Sequence, residues 1–261
     1  IMLSVNSSSV KKSIDLNDQE QINLDGQELN EIPALDREYN NVKLLNCEHN
    51  LINKINNISH LTNLIYLDLY NNNICNITGL STLKQLKVLM LGRNKIDEIN
   101  NLNNNLYLEV LDLHENNIKN IKNINHLKSL KVLNLASNDI SIVKMNDING
   151  LIVLNELNLR QNKLIQIELV NYKNNMIYTP ELQKLFLSDN EIIDFHKIST
   201  IFHIKTLSEL SLDGNPVASN ASDRNQLLKQ IEEIRSLDLY QYDETQSTTQ
   251  STQNNPKNHD F

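Results

Sequence analysis

Asp112 and His114 are the residues with the strongest potential for acid–base chemistry, and they stand two positions apart in LEVLDLHENNI. Alternate residues of an extended strand share a face, so their side chains are expected to lie together. Asp68 holds the equivalent position in an earlier, similar segment, roughly 10 Å away if the two segments are separated by two strand spacings. A carboxylate beside an imidazole can transfer protons. An open sheet face, however, neither excludes water nor desolvates carboxylates, so we predict no catalytic residues.

Metal and cofactor chemistry has little support in the sequence. His196 and His203 are seven residues apart without a third ligand close to them, and the other histidines are scattered. Zinc sites need three or four ligands at suitable spacings. The sequence also lacks a glycine-rich phosphate-binding loop. We therefore predict no metal site and no cofactor.

The segment that carries Asp112 and His114 recurs along the chain, and the repeat decides which elements would position them. Five copies share the pattern LxxLxLxxNx(I/L), and their ninth-slot asparagines are Asn72, Asn94, Asn116, Asn138 and Asn162. The steps between these asparagines are 22, 22, 22 and 24 residues. A period of about 20 to 29 residues with this consensus is that of a leucine-rich repeat.

The repeat predicts an α/β fold, a leucine-rich repeat solenoid. Each copy supplies one strand to a curved parallel sheet on the concave side, and 3₁₀, helical or irregular segments return along the convex side. Slots four and six enter the core, whereas slots three, five and seven face outward. The ninth-slot asparagine is expected to bond backbone groups of its turn. We interpret the abundant asparagine elsewhere as compositional bias.

Further copies extend the array in both directions. A degenerate copy begins near Ile22 and a regular one at Val42, and two later copies begin at Leu182 and Leu207. The step from Asn162 to Asn190 is 28 residues, which places an insertion at residues 172–180. Insertions in solenoids form loops on one side, and this loop is either an extra contact or a harmless bulge.

The domain limits follow from where the repeat pattern fails. We predict a flexible lead-in over residues 1–18, a leucine-rich repeat domain over residues 19–240, and a low-complexity tail over residues 241–261. A C-terminal cap is expected from about residue 218. Its capping helix over residues 222–235 would cover the leucines of the last layer. Because the chain begins with Ile and shows no long apolar run, we expect it to be an excerpt of a longer protein.

Charge and cysteine content exclude several partner classes. The formal net charge of -8 gives no electrostatic support for binding nucleic acid or an anionic membrane, so we predict neither. Cys47 occupies a core slot and Cys75 lies on the return side. We expect two free thiols and a reducing compartment.

The outward face provides the candidate site. Slot three is apolar in five successive layers, which predicts an apolar ribbon about 20 Å long. Aromatic, arginine and charged residues surround it, a composition typical of a protein-binding site. The predicted partner-binding residues are Leu44, Tyr66, Asp68, Tyr70, Val88, Met90, Arg93, Val110, Asp112, His114, Val132, Glu156, Arg160, Lys184 and Phe186. The alternative is that valine merely favours strands and the ribbon stays hydrated.

The repeat also carries a family resemblance. The 22-residue unit and the terminal GNPVAS and IEEIRSLDL segments resemble the intracellular leucine-rich repeat family first described for a regulator of protein phosphatase 1. The slot-seven residues of successive copies are Tyr70, Gly92, His114, Ala136, Arg160 and Ser188. Their order, over residues 22–239, is similar to that of ciliary and centrosomal members found in the tubulin polyglutamylase complex.

The resemblance implies a non-catalytic protein–protein interaction scaffold, not an enzyme. Its implied partners are ligase-complex subunits or other cytoskeletal proteins, held near microtubules. The implied location is cytoplasmic, at the cytoskeleton and at the cilium, basal body or centrosome. The alternative is a regulatory subunit that docks its concave face on protein phosphatase 1 or an axonemal dynein.

Overall fold

One parallel sheet dominates the computed structural model, which describes residues 20–171, 176–177, 179–219, 222 and 236–238. The strands of these residues are β1 (Gln21–Asn23), β2 (Leu44–Asn46), β3 (Tyr66–Asp68), β4 (Val88–Met90), β5 (Val110–Asp112), β6 (Val132–Asn134), β7 (Ile142–Val143), β8 (Glu156–Asn158), β9 (Gln166–Ile167), β10 (Val170–Asn171), β11 (Met176–Ile177), β12 (Lys184–Phe186), β13 (Glu209–Ser211) and β14 (Ser236–Asp238). Ten of them form the sheet in the order β1-β2-β3-β4-β5-β6-β8-β12-β13-β14. The predicted leucine-rich repeat solenoid is confirmed.

The strands align so that equivalent repeat slots lie side by side. Tyr66 pairs with Val88, Val88 with Val110, and Val110 with Val132. The middle residue of β2 to β6, β8, β12 and β13 is the slot-four leucine, and one of these, Leu67, is fully buried in the main core. Since side chains alternate along a strand, slots three and five turn to the opposite face. We call that opposite face the concave face.

The return segments contain 3₁₀ turns, one of the forms that the sequence predicts for them. The Leu83 N–H donates to the Leu80 carbonyl at 3.0 Å, and the Leu86 N–H donates to the Leu83 carbonyl at 3.3 Å. Bonds from a residue to the one three before it are those of a 3₁₀ turn, which directs every third side chain to the core. Complete 3₁₀ helices occupy Arg37–Asn41, Phe195–Lys197 and Ser199–His203. The short α-helices of the described residues are α1 (Met145–Ile148) and α2 (Pro216–Ser219).

The ninth-slot asparagines bond backbone groups of their own turns, as the sequence predicts, and they also link neighbouring layers. The Asn94 amide donates to the Leu69 carbonyl of the preceding layer at 2.9 Å and to the Leu91 carbonyl of its own layer at 3.0 Å. Its side-chain oxygen accepts the Ile74 N–H at 2.9 Å. The same pattern recurs at Asn72, Asn116, Asn138, Asn162, Asn190 and Asn215. Buried amide groups therefore find partners in every such layer.

A second set of asparagines has a structural role that the compositional-bias interpretation missed. Asn57, Asn101 and Asn123 adopt positive φ angles of 59°, 57° and 59°, and Gly79 takes the same place in its layer with φ 72°. This left-handed conformation favours glycine and asparagine. The Asn101 amide also donates to the Ile77 carbonyl at 2.8 Å, and its two counterparts make equivalent bonds. The bias interpretation is wrong for these three positions.

The two longer copies add local structure outside the main sheet. In the 24-residue copy, α1 follows β7, and β7 pairs with β9 in a separate parallel pair. In the 28-residue copy, β10 pairs with β11 in antiparallel fashion. β10 ends at the residue before the predicted insertion at 172–180, and β11 lies within that insertion. Residues 172–175 and 178 lie outside the described residues.

The C-terminal end differs from the expected helix cap in one respect. β14 pairs in parallel with β13, with Leu237 opposite Leu210, and adds a tenth strand that the repeat count did not include. The predicted capping helix at 222–235, apart from Ser222, lies outside the described residues, as do the lead-in at 1–18 and the tail at 241–261. Within the part of the chain that is described, no helix combines the length and apolar character needed to cross a bilayer.

Candidate functional site on the concave face

Four slot-three residues and the slot-five residue Met90 form an apolar group of their own on the concave face. Leu44, Tyr66, Val88 and Met90 pack together apart from the main core, and Val110 packs against them. The strands are about 4.8 Å apart, so side chains on one face contact those of the next layer. The prediction that these residues share one surface away from the main core agrees with this packing.

This apolar group is far less exposed than the predicted ribbon. Tyr66 is fully buried, and Leu44, Val88 and Met90 are buried as well. Sequence alternation assigns a face to each residue but does not measure how completely neighbouring layers cover it. Of the five apolar slot-three residues, all within the described part of the chain, Val110 and Val132 are partly exposed and the other three are buried. The expectation of a five-layer exposed ribbon is therefore corrected to a short accessible apolar area at these two valines.

The buried slot-five carboxylates serve turns at the ends of the strands. Asp68 accepts the Tyr70 N–H at 3.1 Å, and Asp112 accepts the His114 N–H at 3.0 Å. Side-chain oxygens of Asx residues commonly bond the backbone two residues on. Asparagines make the same bond in other layers, namely Asn23, Asn46, Asn134 and Asn158. A structural role that Asn also fills explains why Asp occupies this slot, without any need for catalysis.

Tyr66 and Asp68 form a buried pair within one strand. The Tyr66 hydroxyl donates to Asp68 Oδ2 at 3.0 Å, and both residues are essentially inaccessible. Burial raises the pKa of the Tyr66 hydroxyl well above its ordinary value, and the Asp68 charge raises it further. Tyr66 and Asp68, both predicted site residues, are therefore buried and inaccessible to a partner protein.

His114 pairs with the Asp112 carboxylate and is the more accessible residue of the two. Its Nδ1 lies 2.6 Å from Asp112 Oδ1, and its side chain is 24% exposed against 3% for Asp112. Burial disfavours the charged imidazole and lowers its pKa. The hydrogen bond and charge of Asp112, with a contribution from Glu115, outweigh that effect, so the pKa of His114 is raised above 6.5.

Three rings form a column along slots seven and eight. The Tyr70 ring stacks on His114 with centroids 5.5 Å apart, and His49 meets the other side of Tyr70 edge-on at 5.4 Å. Gly92 occupies the intervening layer between Tyr70 and His114. A Cβ at Gly92 would lie 2.4 Å from His114 Cε1, so only glycine leaves the rings free to meet. Sequence reasoning missed His49. The order Tyr70, Gly92 and His114 in successive slot-seven positions could have indicated that the glycine leaves space for two rings to meet.

Arg93, a predicted partner-binding residue, and its neighbour Glu115 lie beside the Tyr70 ring. Arg93 Nε donates to Glu115 Oε2 at 2.8 Å, and its guanidinium carbon lies 5.7 Å from the Tyr70 ring centroid. Both charged side chains are exposed. The hydrogen bond to Glu115 raises the pKa of Arg93, with the charges of Tyr70 and Glu115 acting in the same direction. An exposed guanidinium beside an aromatic ring suits contact with another protein.

A second group lies toward the C-terminal end of the sheet. The Arg160 guanidinium carbon lies 4.7 Å from the centroid of the buried Phe186 ring, and Arg160 Nε lies 3.4 Å from Ser211 Oγ. Lys184 Nζ and Glu156 Oε2 form an ion pair at 3.5 Å. The structure thus divides the predicted residues into two polar and aromatic groups. The partly exposed Val110 lies in the layer of His114, and the partly exposed Val132 lies in the layer between the two groups.

Comparison with known proteins agrees with the fold. A family model described as Leucine Rich repeats (2 copies) matches residues 108–145. Leucine-rich repeat-containing protein 49 of Homo sapiens is 45% identical over 65 residues, which are 25% of this chain and 9% of that protein. The match therefore spans less than a tenth of that relative.

Two solved structures extend the comparison to most of the chain. Internalin C2 from Listeria monocytogenes aligns with a TM-score of 0.62 and 24% identity, over 78% of this chain and 83% of that chain. The ectodomain of the Arabidopsis thaliana membrane receptor kinase GASSHO1/SCHENGEN3, in complex with CASPARIAN STRIP INTEGRITY FACTOR 2, aligns with a TM-score of 0.60 and 27% identity. That alignment covers 75% of this chain and 24% of the receptor chain. The repeat consensus, the ten-stranded parallel sheet and these matches together identify the fold as a leucine-rich repeat solenoid, and one segment of the chain resembles human leucine-rich repeat-containing protein 49.

Proposed function

We propose that this chain is a non-catalytic scaffold that binds a partner protein on its concave face. The observation that carries this proposal is the arrangement of two accessible groups, Tyr70–Arg93–His114 and Glu156–Arg160–Lys184, around two partly exposed valines. Val110 lies in the layer of His114, and Val132 lies in the next layer, between the two groups. An apolar centre with aromatic, arginine and charged residues around it is how protein interfaces are composed. The receptor ectodomain of similar fold, which was solved in complex with CASPARIAN STRIP INTEGRITY FACTOR 2, supports such a use of the fold.

The absence of a catalytic role is part of the proposal. The acid–base candidates Asp68 and Asp112 are buried and engaged by turn hydrogen bonds. His114 is partly accessible, but it is bonded to Asp112 and stacked on Tyr70. Acid–base catalysis works best in a site that excludes water, and an open sheet face offers no such enclosure.

The finer proposal is that the partners belong to a microtubule-associated tubulin polyglutamylase complex at cilia and centrosomes. The 65-residue similarity to leucine-rich repeat-containing protein 49 and the order of slot-seven residues support it. Tubulin tails are acidic, and a domain of formal charge -8 is poorly suited to bind them directly. We therefore propose that the chain holds companion subunits of the ligase rather than the tubulin tails themselves.

A co-purification experiment with a matched control tests the binding face. The chain and its V110E/V132E variant are each captured from ciliated cells, and bound proteins are identified by mass spectrometry. An I193E variant is the control because Ile193 is 66% exposed on a return segment. We expect V110E/V132E to lose the partner and I193E to retain it, while all three proteins show the same melting temperature.

The identity of the captured protein tests the finer proposal separately. Ligase-complex subunits support the polyglutamylase assignment, whereas protein phosphatase 1 or an axonemal dynein heavy chain supports a regulatory subunit instead. If V110E/V132E retains its partner, binding does not use the concave face as proposed. Substrate turnover by the isolated chain would contradict the non-catalytic assignment.

A further inference from the structure

We propose that Asp25, Glu48 and His49 form a binding site for a divalent transition-metal ion such as Zn²⁺. One ligand atom from each residue lies within 4.8 Å of the ligand atoms of the other two. Tetrahedral zinc with ligand bonds of about 2.0 to 2.2 Å holds its ligands about 3.3 to 3.6 Å apart. Modest side-chain rotation therefore brings the three atoms into one coordination sphere.

The fold places the three residues together although they come from separate repeats. Asn23 in β1 pairs with Asn46 in β2, and each bonds the backbone N–H two residues on, at Asp25 and Glu48 respectively. Equivalent positions in adjacent layers are about 4.8 Å apart. His49 follows Glu48 with a left-handed φ of 55°, and its N–H donates to the Tyr70 carbonyl at 2.9 Å.

Each side chain is also oriented by a neighbour. His49 Nδ1 lies 3.0 Å from Asp25 Oδ1, and the His49 ring meets the Tyr70 ring edge-on. Glu48 Oε1 accepts a hydrogen bond from Asn46 Nδ2 at 3.0 Å. Partners that fix the orientation of ligand residues are a common feature of metal sites. Binding an ion would replace the contact between His49 and Asp25 by bonds from both residues to the metal.

The donor set indicates which ion fits. One imidazole nitrogen and two carboxylate oxygens suit Zn²⁺ and related first-row ions. Ca²⁺ and Mg²⁺ prefer oxygen ligands alone. Two carboxylates also balance the charge of a divalent ion. Three protein ligands leave a fourth position open for water or for a donor from another molecule.

Calorimetric titration of the whole chain with Zn²⁺ tests the site. We expect saturable binding at one ion per chain, unaffected by Mg²⁺. The D25N and H49Q variants should each weaken binding at least tenfold, since loss of even an outer partner of a ligand costs roughly 10- to 100-fold. Because Asp25 and His49 are exposed, both variants should melt as the wild type does without metal. The control is H196Q, which alters an exposed histidine on a different segment and should bind Zn²⁺ normally.

Nuclear magnetic resonance locates the ion independently of its affinity. Zn²⁺ should shift the backbone amide signals of Asp25, Glu48, His49 and Tyr70 while those near His196 stay in place. Lack of saturable binding would show that Asp25 and His49 form only an ion pair and would overturn the proposal. Wild-type affinity in H49Q, or shifts centred on His196, would overturn it as well.

Discussion

Tyr70 stacks on His114 across the layer of Gly92, where the absence of a side chain lets two rings from non-adjacent repeats come within 5.5 Å. The contact joins the Tyr70 phenol ring of one repeat to the His114 imidazole ring two repeats later. It makes Gly92 a determinant of the shape of the concave face, although Gly92 itself offers no group to a partner.

A methyl group at Gly92 should destabilise the protein through His114. The added Cβ would lie 2.4 Å from the imidazole, so G92A forces His114 to move and lowers the free energy of unfolding by about 1 to 3 kcal/mol. Urea denaturation of G92A, H114A and the double variant measures the coupling. In the H114A background the same methyl group should cost little. Equal costs in both backgrounds would mean that the clash lies elsewhere.

Stability should depend on pH through the pair of His114 and Asp112. The folded-state pKa of His114 is raised above 6.5, so protonated His114 stabilises the fold. This contribution is fully present below the pKa of the unfolded chain, about 6.5, and is lost as the pH rises through the folded-state pKa. D112N keeps the turn, since asparagine fills this slot in other layers, but removes the charge. We expect the stability difference between wild type and D112N to be larger at about pH 5.5 than at about pH 8.5, by on the order of 1 kcal/mol. Parallel pH profiles would contradict this coupling.

Asn105 interrupts a column of buried leucines, and replacing it should stabilise the protein. Leu83 and Leu127 precede and follow it at the same return position, and Asn105 is fully buried with its Oδ1 atom unpaired. N105L removes a buried polar group and adds apolar contact, so we expect unfolding to require about 1 to 2 kcal/mol more. The control is N94L, whose amide has partners on both sides and which should lose about 3 kcal/mol. A destabilised N105L would show that its two amide bonds, to the Leu80 and Leu83 carbonyls, matter more than the unpaired oxygen.

The two cysteines should differ in reactivity. Burial, and to a lesser extent the charge of Asp68, raises the pKa of the Cys47 thiol to about 12, whereas Cys75 is exposed. The thiolate is the reactive form. A colorimetric thiol assay should therefore detect one thiol in the native protein and two in denaturant. C75S should leave none reactive in the native state, and rapid labelling of Cys47 in native C75S would contradict its burial.

Most of the fold could be predicted because its determinants are local and periodic. The leucine spacing predicted the strand register, and the ninth-slot asparagines were expected to bond their own turns, as Asn94 does. The bond from Asn94 to the preceding layer was not predicted. Asn57, Asn101 and Asn123 were misinterpreted because a left-handed backbone conformation leaves little trace in a chain already rich in asparagine. The added strand at Ser236–Asp238 was missed because a three-residue strand carries too short a pattern to recognise.

The candidate site was less predictable because it depends on contacts between repeats. Alternation placed Tyr66 and Val88 on the concave face, but only the packing of adjacent layers shows that they are buried there. His49 and Asp25 are 24 residues apart, and the close approach of their side chains follows from the stacking of β1 on β2. Residue types predict what a position can do, whereas its accessibility depends on its neighbours in space.

The interlayer bonds of the ninth-slot asparagines reach only the adjacent layer, and this determines how the effect of a substitution would spread. A fault in a central copy, such as that of Asn116, would sever two interfaces and leave two shorter arrays with exposed leucines. The same loss of packing in a terminal copy would disrupt its interface with a single neighbouring copy and unfold only that end of the array. Tolerance to substitution of the leucines and asparagines that join the layers should therefore rise from the middle of the molecule toward both ends.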